Sequence, residues 1–204
     1  ENSEKLWKLI EPFAAYGFNK AHACSYGVVA YQTAYLKAHY PAEFMAALMS
    51  AESDDIEKVA EAVAECKAMR ITVLPPDVNE SFADFTVIDD RTIRFGLSAI
   101  KNIGSHIVDV IIAERKKNGP YASIADFLAR VADRDLNRKS LESFIKAGAL
   151  ASLGDRGTLF ANIDKLLDFA RTAHEAALQN QESLFGATTG AGPRELALAP
   201  SEED

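Results

Sequence analysis

Three short stretches carry residue types that could do chemistry. The first is Asn19-Lys20-x-His22. An Asn at a helix start caps the backbone and leaves the following N–H groups facing outward, where they suit an anion. Lys20 adds a point charge for a phosphate, and His22 could donate a hydrogen bond to the same ligand. Tyr16 lies in the turn just before it, in Tyr16-Gly17-Phe18. The second stretch is Ile100-Lys101-Asn102-Ile103-Gly104. A tight turn there would expose backbone N–H groups that bind consecutive phosphates of one DNA strand without reading bases. The third is Gln181-Glu182-Ser183-Leu184-Phe185. Two large apolar residues after a Gln, in polar surroundings, suit a peptide that docks into a pocket on a partner.

The second stretch sits between two short apolar segments and reads as a helix-hairpin-helix. Such hairpins usually carry two glycines around an apolar residue. Here Asn102 takes the first place, and Asn is the non-glycine type that best tolerates positive φ. Lys101 supplies the expected cation. A more degenerate copy is legible over Leu141 to Gly154, LESFIKAGALASLG.

Catalysis is harder to find. Nucleotidyl transfer needs carboxylates that hold two metal ions about 4 Å apart. The sole Asp-x-Asp, Asp133-Arg134-Asp135, lies between two helices and before a cap, so it reads as loop chemistry. No Ser/His/Asp set, P-loop or zincin pattern is present, and no metal site is expected. The histidines, at 22, 39, 106 and 174, lack zinc-site spacing. Cys24 and Cys66 fall in separate helices and read as reduced, buried thiols.

These stretches need elements to hold them. Helices are expected over Ser3–Phe13, from Asn19 to Ala38, and from Pro41, which fits a first helical turn with Glu43 behind it. Cys24, Val28, Tyr31 and Tyr35 step by four, three and four, which predicts a buried stripe. A further helix starts at Ser53-Asp54-Asp55. Ile71–Leu74 reads as a strand, and Phe85–Ile88 with Thr92–Phe95 as a small hairpin. Leu97–Ile100 reads as a short helical piece, followed by a helix that ends at Lys116-Lys117-Asn118-Gly119-Pro120. Ser123 and Asn137 cap two more helices. Thr158 to about Leu178 is the last, and 179–204 reads as a flexible tail. The fold class is mainly α.

The chain has 204 residues, 48% hydrophobic, which is enough for a real core. No apolar run approaches the roughly 20 residues of a membrane span, and a cytoplasmic setting is expected. The chain opens without Met, directly on a helical pattern, and reads as the interior of a longer polypeptide. Net charge is −8, but it divides unevenly. Residues 1–90 carry −8, residues 91–146 carry +5 and residues 147–204 carry −5. The basic third contains the hairpin, and a local field governs a polyanion more than total charge does.

The stretch YGFNKAHACSYGVVAYQTAYLKAHYPAEFMAALMSAE resembles the bacterial DNA polymerase III alpha subunits, replicative polymerases of the C family. The likeness continues through ECKAMRITVLPPDVNES, IRFGLSAIKNIG, LNRKSLESFIKAGAL and QESLFG, over Glu1 to about Gly186. The resemblance implies the helical end of a fingers domain over 1–80. It implies a tandem helix-hairpin-helix domain with a small β-hairpin over 81–178, and a tail with a clamp-binding peptide over 179–204. Tyr16, Asn19, Lys20 and His22 would then face incoming nucleotide and template. Lys101, Asn102, Ile103 and Gly104 would hold DNA phosphates. Gln181, Ser183, Leu184 and Phe185 would bind the sliding clamp. The implied partners are primer-template DNA, deoxynucleoside triphosphates, the clamp and other replicase subunits. Mg2+ would serve the intact polymerase, on palm aspartates outside these residues, so the segment alone is expected to be catalytically silent. The alternative is a stand-alone helix-hairpin-helix protein that binds DNA or acts as a scaffold.

Overall fold

The computed structural model describes residues 2–15, 20–182, 196 and 198. The fold is mainly α. Among the described residues the order is α1 (Asn2–Ala15), α2 (Lys20–His39), α3 (Pro41–Ala51), α4 (Ile56–Ala68), β1 (Thr72–Leu74), β2 (Thr86–Asp89) and β3 (Thr92–Arg94). A single 3-10 turn follows over Leu97–Ala99, then α5 (Ser105–Asn118), α6 (Ile124–Arg130), α7 (Arg138–Ala147), α8 (Arg156–Ala161) and α9 (Ile163–Glu182).

Local chemistry accounts for most boundaries. Pro41 opens α3, with Glu43 in its first turn. The Asp55 carboxylate accepts the Glu57 and Lys58 amides to cap α4. At its far end Arg70 takes a positive φ of 60° and the Ile71 amide reaches back to the Cys66 carbonyl. Ser123 caps α6 through the Asp126 amide, and the Asp126 carboxylate accepts the Ala122 amide. Asn137 and Ser140 form a reciprocal capping box on α7. Gly148, at φ 81°, closes that helix in the left-handed conformation.

The three strands form one sheet in the order β1-β3-β2. β3 pairs parallel with β1 and antiparallel with β2, and Ile93 stands opposite both Val73 and Val87. The expected hairpin is therefore part of a three-stranded sheet. A hairpin has a short turn that betrays it, whereas the parallel β1–β3 pair joins residues about twenty apart with no local signal.

Two hydrophobic clusters hold the chain. One joins Met45 and Met49 of α3, Val59, Ala62 and Cys66 of α4, and Phe85, Ile93 and Ala99. The other joins Val78, Leu97, Ile107, Ile111, Phe127, Leu128, Leu141, Phe144, Ile145, Leu150, Leu159 and Leu166. The β2–β3 strands thus pack with α3 and α4, although the sequence grouped them with the helices after residue 81. The expected last helix, Thr158 to Leu178, is two helices that meet at Asn162, and α9 continues to Glu182. The expected tail boundary at 179 therefore lies within a helix. Leu196 and Leu198 are half-buried against the second cluster.

The buried stripe expected on α2 is not buried. None of its residues is enclosed, and Val28, Tyr31 and Tyr35 are 52%, 70% and 47% exposed. Its contacts concentrate at the C-terminal end, where Lys37 pairs with Glu65 and lies over the Phe44 ring. Cys24 is likewise exposed, while Cys66 is buried. The stripe is there in spacing, but no described element covers it.

Candidate nucleic-acid interface

The hairpin forms where the sequence places it. Asn102 has φ 67°, the positive value that its position demands. The Ile103 amide returns to the Ile100 carbonyl at 3.2 Å, which closes the turn. Ile103 is half-buried against the larger core, so the turn is anchored from below. Lys101, Asn102 and Gly104 remain exposed. Gly104 is the N-cap of α5, and no side chain caps that helix. Its first amides thus lack a side-chain acceptor, and the exposed Lys101 lies three residues before the cap, a combination that favours an anion. The short helical piece expected over Leu97–Ile100 is the 3-10 turn Leu97–Ala99, which leads into the hairpin.

The degenerate copy is the more regular of the two. α7 runs into Gly148, the Ala149 amide bonds to the Phe144 carbonyl, and α8 follows, capped by Asp155. The backbone N–H of Thr158 holds the Asp155 carboxyl below its ordinary range.

α7 also brings residues to the hairpin that sequence reasoning missed. Lys139, Glu142, Ser143 and Lys146 occupy i, i+3, i+4 and i+7, hence one helical face. The Asn102 side-chain amide donates to the Ser143 hydroxyl at 3.3 Å, so this face meets the hairpin. The face contacts the turn across some forty residues, and only its charge pattern was visible in advance.

Within the same segment, Arg130 locks α5 to α6. It bonds the Glu114 carboxylate at 3.1 Å, the Asp126 carboxylate at 2.9 Å and the Gly119 carbonyl at 2.7 Å. Its guanidinium lies 4.5 Å from the centre of the Tyr121 ring. Hydrogen bonds from Asn118 and Arg130 hold the Glu114 carboxyl below its ordinary range. Burial pushes the Tyr121 phenol up to about 12, and its hydroxyl donates to the Ile111 carbonyl.

The remaining candidate residues are dispersed. Lys20 and His22 are exposed at the start of α2, and the His22 ring lies 4.4 Å from that of Tyr26. Tyr16 and Asn19 lie outside the described residues, as do Ser183, Leu184 and Phe185. The Gln181 backbone belongs to α9.

Among the described residues, His106, Asp133 and Asp135 alone gather three potential metal ligands, within 4.8 Å of one another. They do not fit a two-metal nucleotidyl-transfer site. One Asp133 oxygen accepts the Asp135 amide and the other meets His106 Nε2 at 2.9 Å, so the group is bound up in its own turn. No helix among the described residues is long and apolar enough to cross a membrane.

The comparisons agree with this geometry. The family model described as helix-hairpin-helix motif matches residues 70–159, which include both hairpins. The chain is 48% identical over 185 residues to the DNA polymerase III subunit alpha of Thermus aquaticus, covering 91% of this chain and 15% of that one. It is 46% identical over 194 residues to that of Borreliella burgdorferi, covering 95% and 17%. It is 43% identical over 197 residues to that of Vibrio cholerae, covering 96% and 17%. The chain thus spans 15–17% of the length of these curated relatives. With a helix-hairpin-helix segment at its centre and this likeness along nearly its whole length, the chain belongs to the DNA polymerase III alpha-subunit family, as one segment of it.

Proposed function

We propose that this segment grips duplex DNA for a DNA-directed DNA polymerase and links that polymerase to its sliding clamp. The observation that carries the DNA-binding part is the Lys101–Gly104 turn: a positive-φ Asn102, an uncapped α5 N-terminus and an exposed lysine within a matched helix-hairpin-helix region. Amides and ammonium groups of this kind contact phosphate and sugar, which fixes position on the duplex without reading sequence.

In the intact enzyme, Lys20 contacts a triphosphate or template phosphate, and Tyr16, Asn19 and His22 complete that wall of the nucleotide site. Gln181, Ser183, Leu184 and Phe185 dock into an apolar cleft of the clamp. The tether raises the effective concentration of polymerase on DNA. Other replicase subunits bind the assembled enzyme. The large apolar residues left open on α1 and α2, among them Trp7, Leu9 and Tyr31, are covered there by the rest of the polypeptide. Mg2+ belongs to carboxylates other than those described here. The segment alone does not extend primers.

Duplex binding measured against salt tests the central claim. Each phosphate neutralised contributes a log–log slope of about −0.9, and unrelated duplex sequences should bind alike. Equal affinity at low and high salt, or strong preference for one duplex sequence, overturns it. Primer extension by the pure segment overturns the claim of catalytic silence.

A further inference from the structure

Beneath the hairpin lies a cavity of about 540 Å³ that a duplex backbone does not need. The polar part of its lining is Lys101 and Asn102 from the turn and Lys139, Glu142, Ser143 and Lys146 from α7. Apolar residues make up the rest of its lining: Pro76, Phe95, Ala99, Ile100 and Ala147, with the exposed Ile56 at its edge. Phosphate contact explains the lysines but not the apolar walls. A flat, uncharged, polarisable group attached to phosphates explains both.

The charge supports the same class of ligand. Three lysines face one carboxylate, Glu142, which already meets Arg138 at 3.1 Å and Lys146 at 3.6 Å. Lys101 and Lys139 have no ion-pair partner among the described residues. The polar part of the lining therefore attracts anions. Phe95 supplies a ring: it packs against Phe85 at 4.5 Å yet is only half-buried and lines the cavity. Ammonium groups together with an aromatic-bearing apolar lining are the elements of single-strand recognition, in which bases stack and backbone phosphates meet cations. The Asn102 amide, the Ser143 hydroxyl and the Glu142 carboxylate could meet polar base edges.

We propose that this cavity holds one unpaired nucleotide of a DNA strand next to the duplex gripped by the hairpin, a reading that rests on the hairpin being a DNA grip. The base packs on the apolar part of the lining and its flanking phosphates sit on Lys101, Lys139 and Lys146. Contact is tolerant of base identity, because every base presents an apolar face.

The test compares a blunt duplex with the same duplex carrying a short single-stranded overhang, by fluorescence anisotropy on the 204-residue chain. The overhang carries 2-aminopurine at successive positions. The overhang should bind about tenfold tighter, the effect of stacking one base, and one position should change in fluorescence on binding. Ala147→Phe, which fills the cavity from α7, should abolish both effects while blunt-duplex affinity stays within about twofold. Ile56→Asp, at an exposed position of the same lining, tests the same point with little risk to folding and should give the same result. An overhang that binds no tighter than the blunt duplex overturns the proposal and leaves the duplex grip standing. An advantage that survives both variants also overturns it. If neither DNA binds, the proposal and the reading beneath it fall together.

Discussion

The side-chain amide of Asn102 donates to the hydroxyl of Ser143 at 3.3 Å. Asn102 thus has two roles at once. Its backbone adopts φ 67° to make the turn, and its side chain ties that turn to α7. Replacement by glycine removes the tie but frees the backbone; replacement by valine removes the tie and opposes the backbone. Asn102→Gly should change stability by less than about 0.5 kcal/mol, since glycine populates this conformation readily and the lost bond is exposed. Asn102→Val should cost about 1–2 kcal/mol, because a β-branched residue resists the left-handed region. Denaturant unfolding of the two variants distinguishes them, and equal losses would show that the turn is not conformationally restricted.

Lys101 is exposed and lies three residues before Gly104, the cap of α5. Lys101→Ala should reduce the salt slope of duplex binding by about 0.9, the share of one phosphate, and weaken all duplex sequences alike. Titrations at several salt concentrations measure it. An unchanged slope would remove Lys101 from the interface.

These features differ in how far their causes lie along the chain. Pro41, Ser123 with Asp126, Asn137 with Ser140, and Asn102 in its turn act on partners within four residues, so residue type and spacing were enough to read them. The parallel β1–β3 pairing, the Asn102–Ser143 contact and the bonds of Arg130 to Glu114 and Gly119 join residues between 11 and 41 apart in the chain, and no local pattern reports them. The α2 stripe shows the converse: spacing revealed the apolar face, but burial depends on a covering surface that spacing does not encode. The lysines of α7 were legible as charges and not as neighbours of the hairpin.

Arg70 ends α4 in a left-handed conformation, φ 60°, where glycine or asparagine is usual. Its side chain is exposed. Arg70→Gly should therefore stabilise the fold by roughly 0.5–1 kcal/mol by relieving the backbone. Thermal unfolding should show the rise. A fall in stability would mean that the arginine side chain contributes more than its backbone costs.

Cys24 is exposed and Cys66 is enclosed among α3 and α4, where burial pushes its thiol up. The thiolate is the reactive form, so access and ionisation both protect Cys66. Iodoacetamide should modify Cys24 first in the folded chain, and Cys66 only when the chain unfolds. Peptide mapping after limited alkylation reads this directly. Comparable labelling of both thiols in the native state would place Cys66 outside the core.

Glu114 predicts how the fold responds to acid. Asn118 Nδ2 donates to its carboxylate at 2.6 Å and Arg130 Nε at 3.1 Å. Both interactions favour the charged form, so the folded-state pKa lies below the ordinary 4.5. A depressed carboxyl stabilises the fold fully above its unfolded value, and that stabilisation is lost as pH falls through the folded value. Glu114→Gln keeps an acceptor for Asn118 but removes the charge that holds Arg130 between α5 and α6. At pH 7 the variant should be less stable by about 1–2 kcal/mol, the scale of a charge-assisted hydrogen bond. The gap should narrow as pH drops below 4.5, because the native carboxylate then protonates and loses the same interaction. Urea unfolding of both proteins across pH 7 to 3 measures it. A gap that stays constant over that range would mean that the lock works through shape rather than charge.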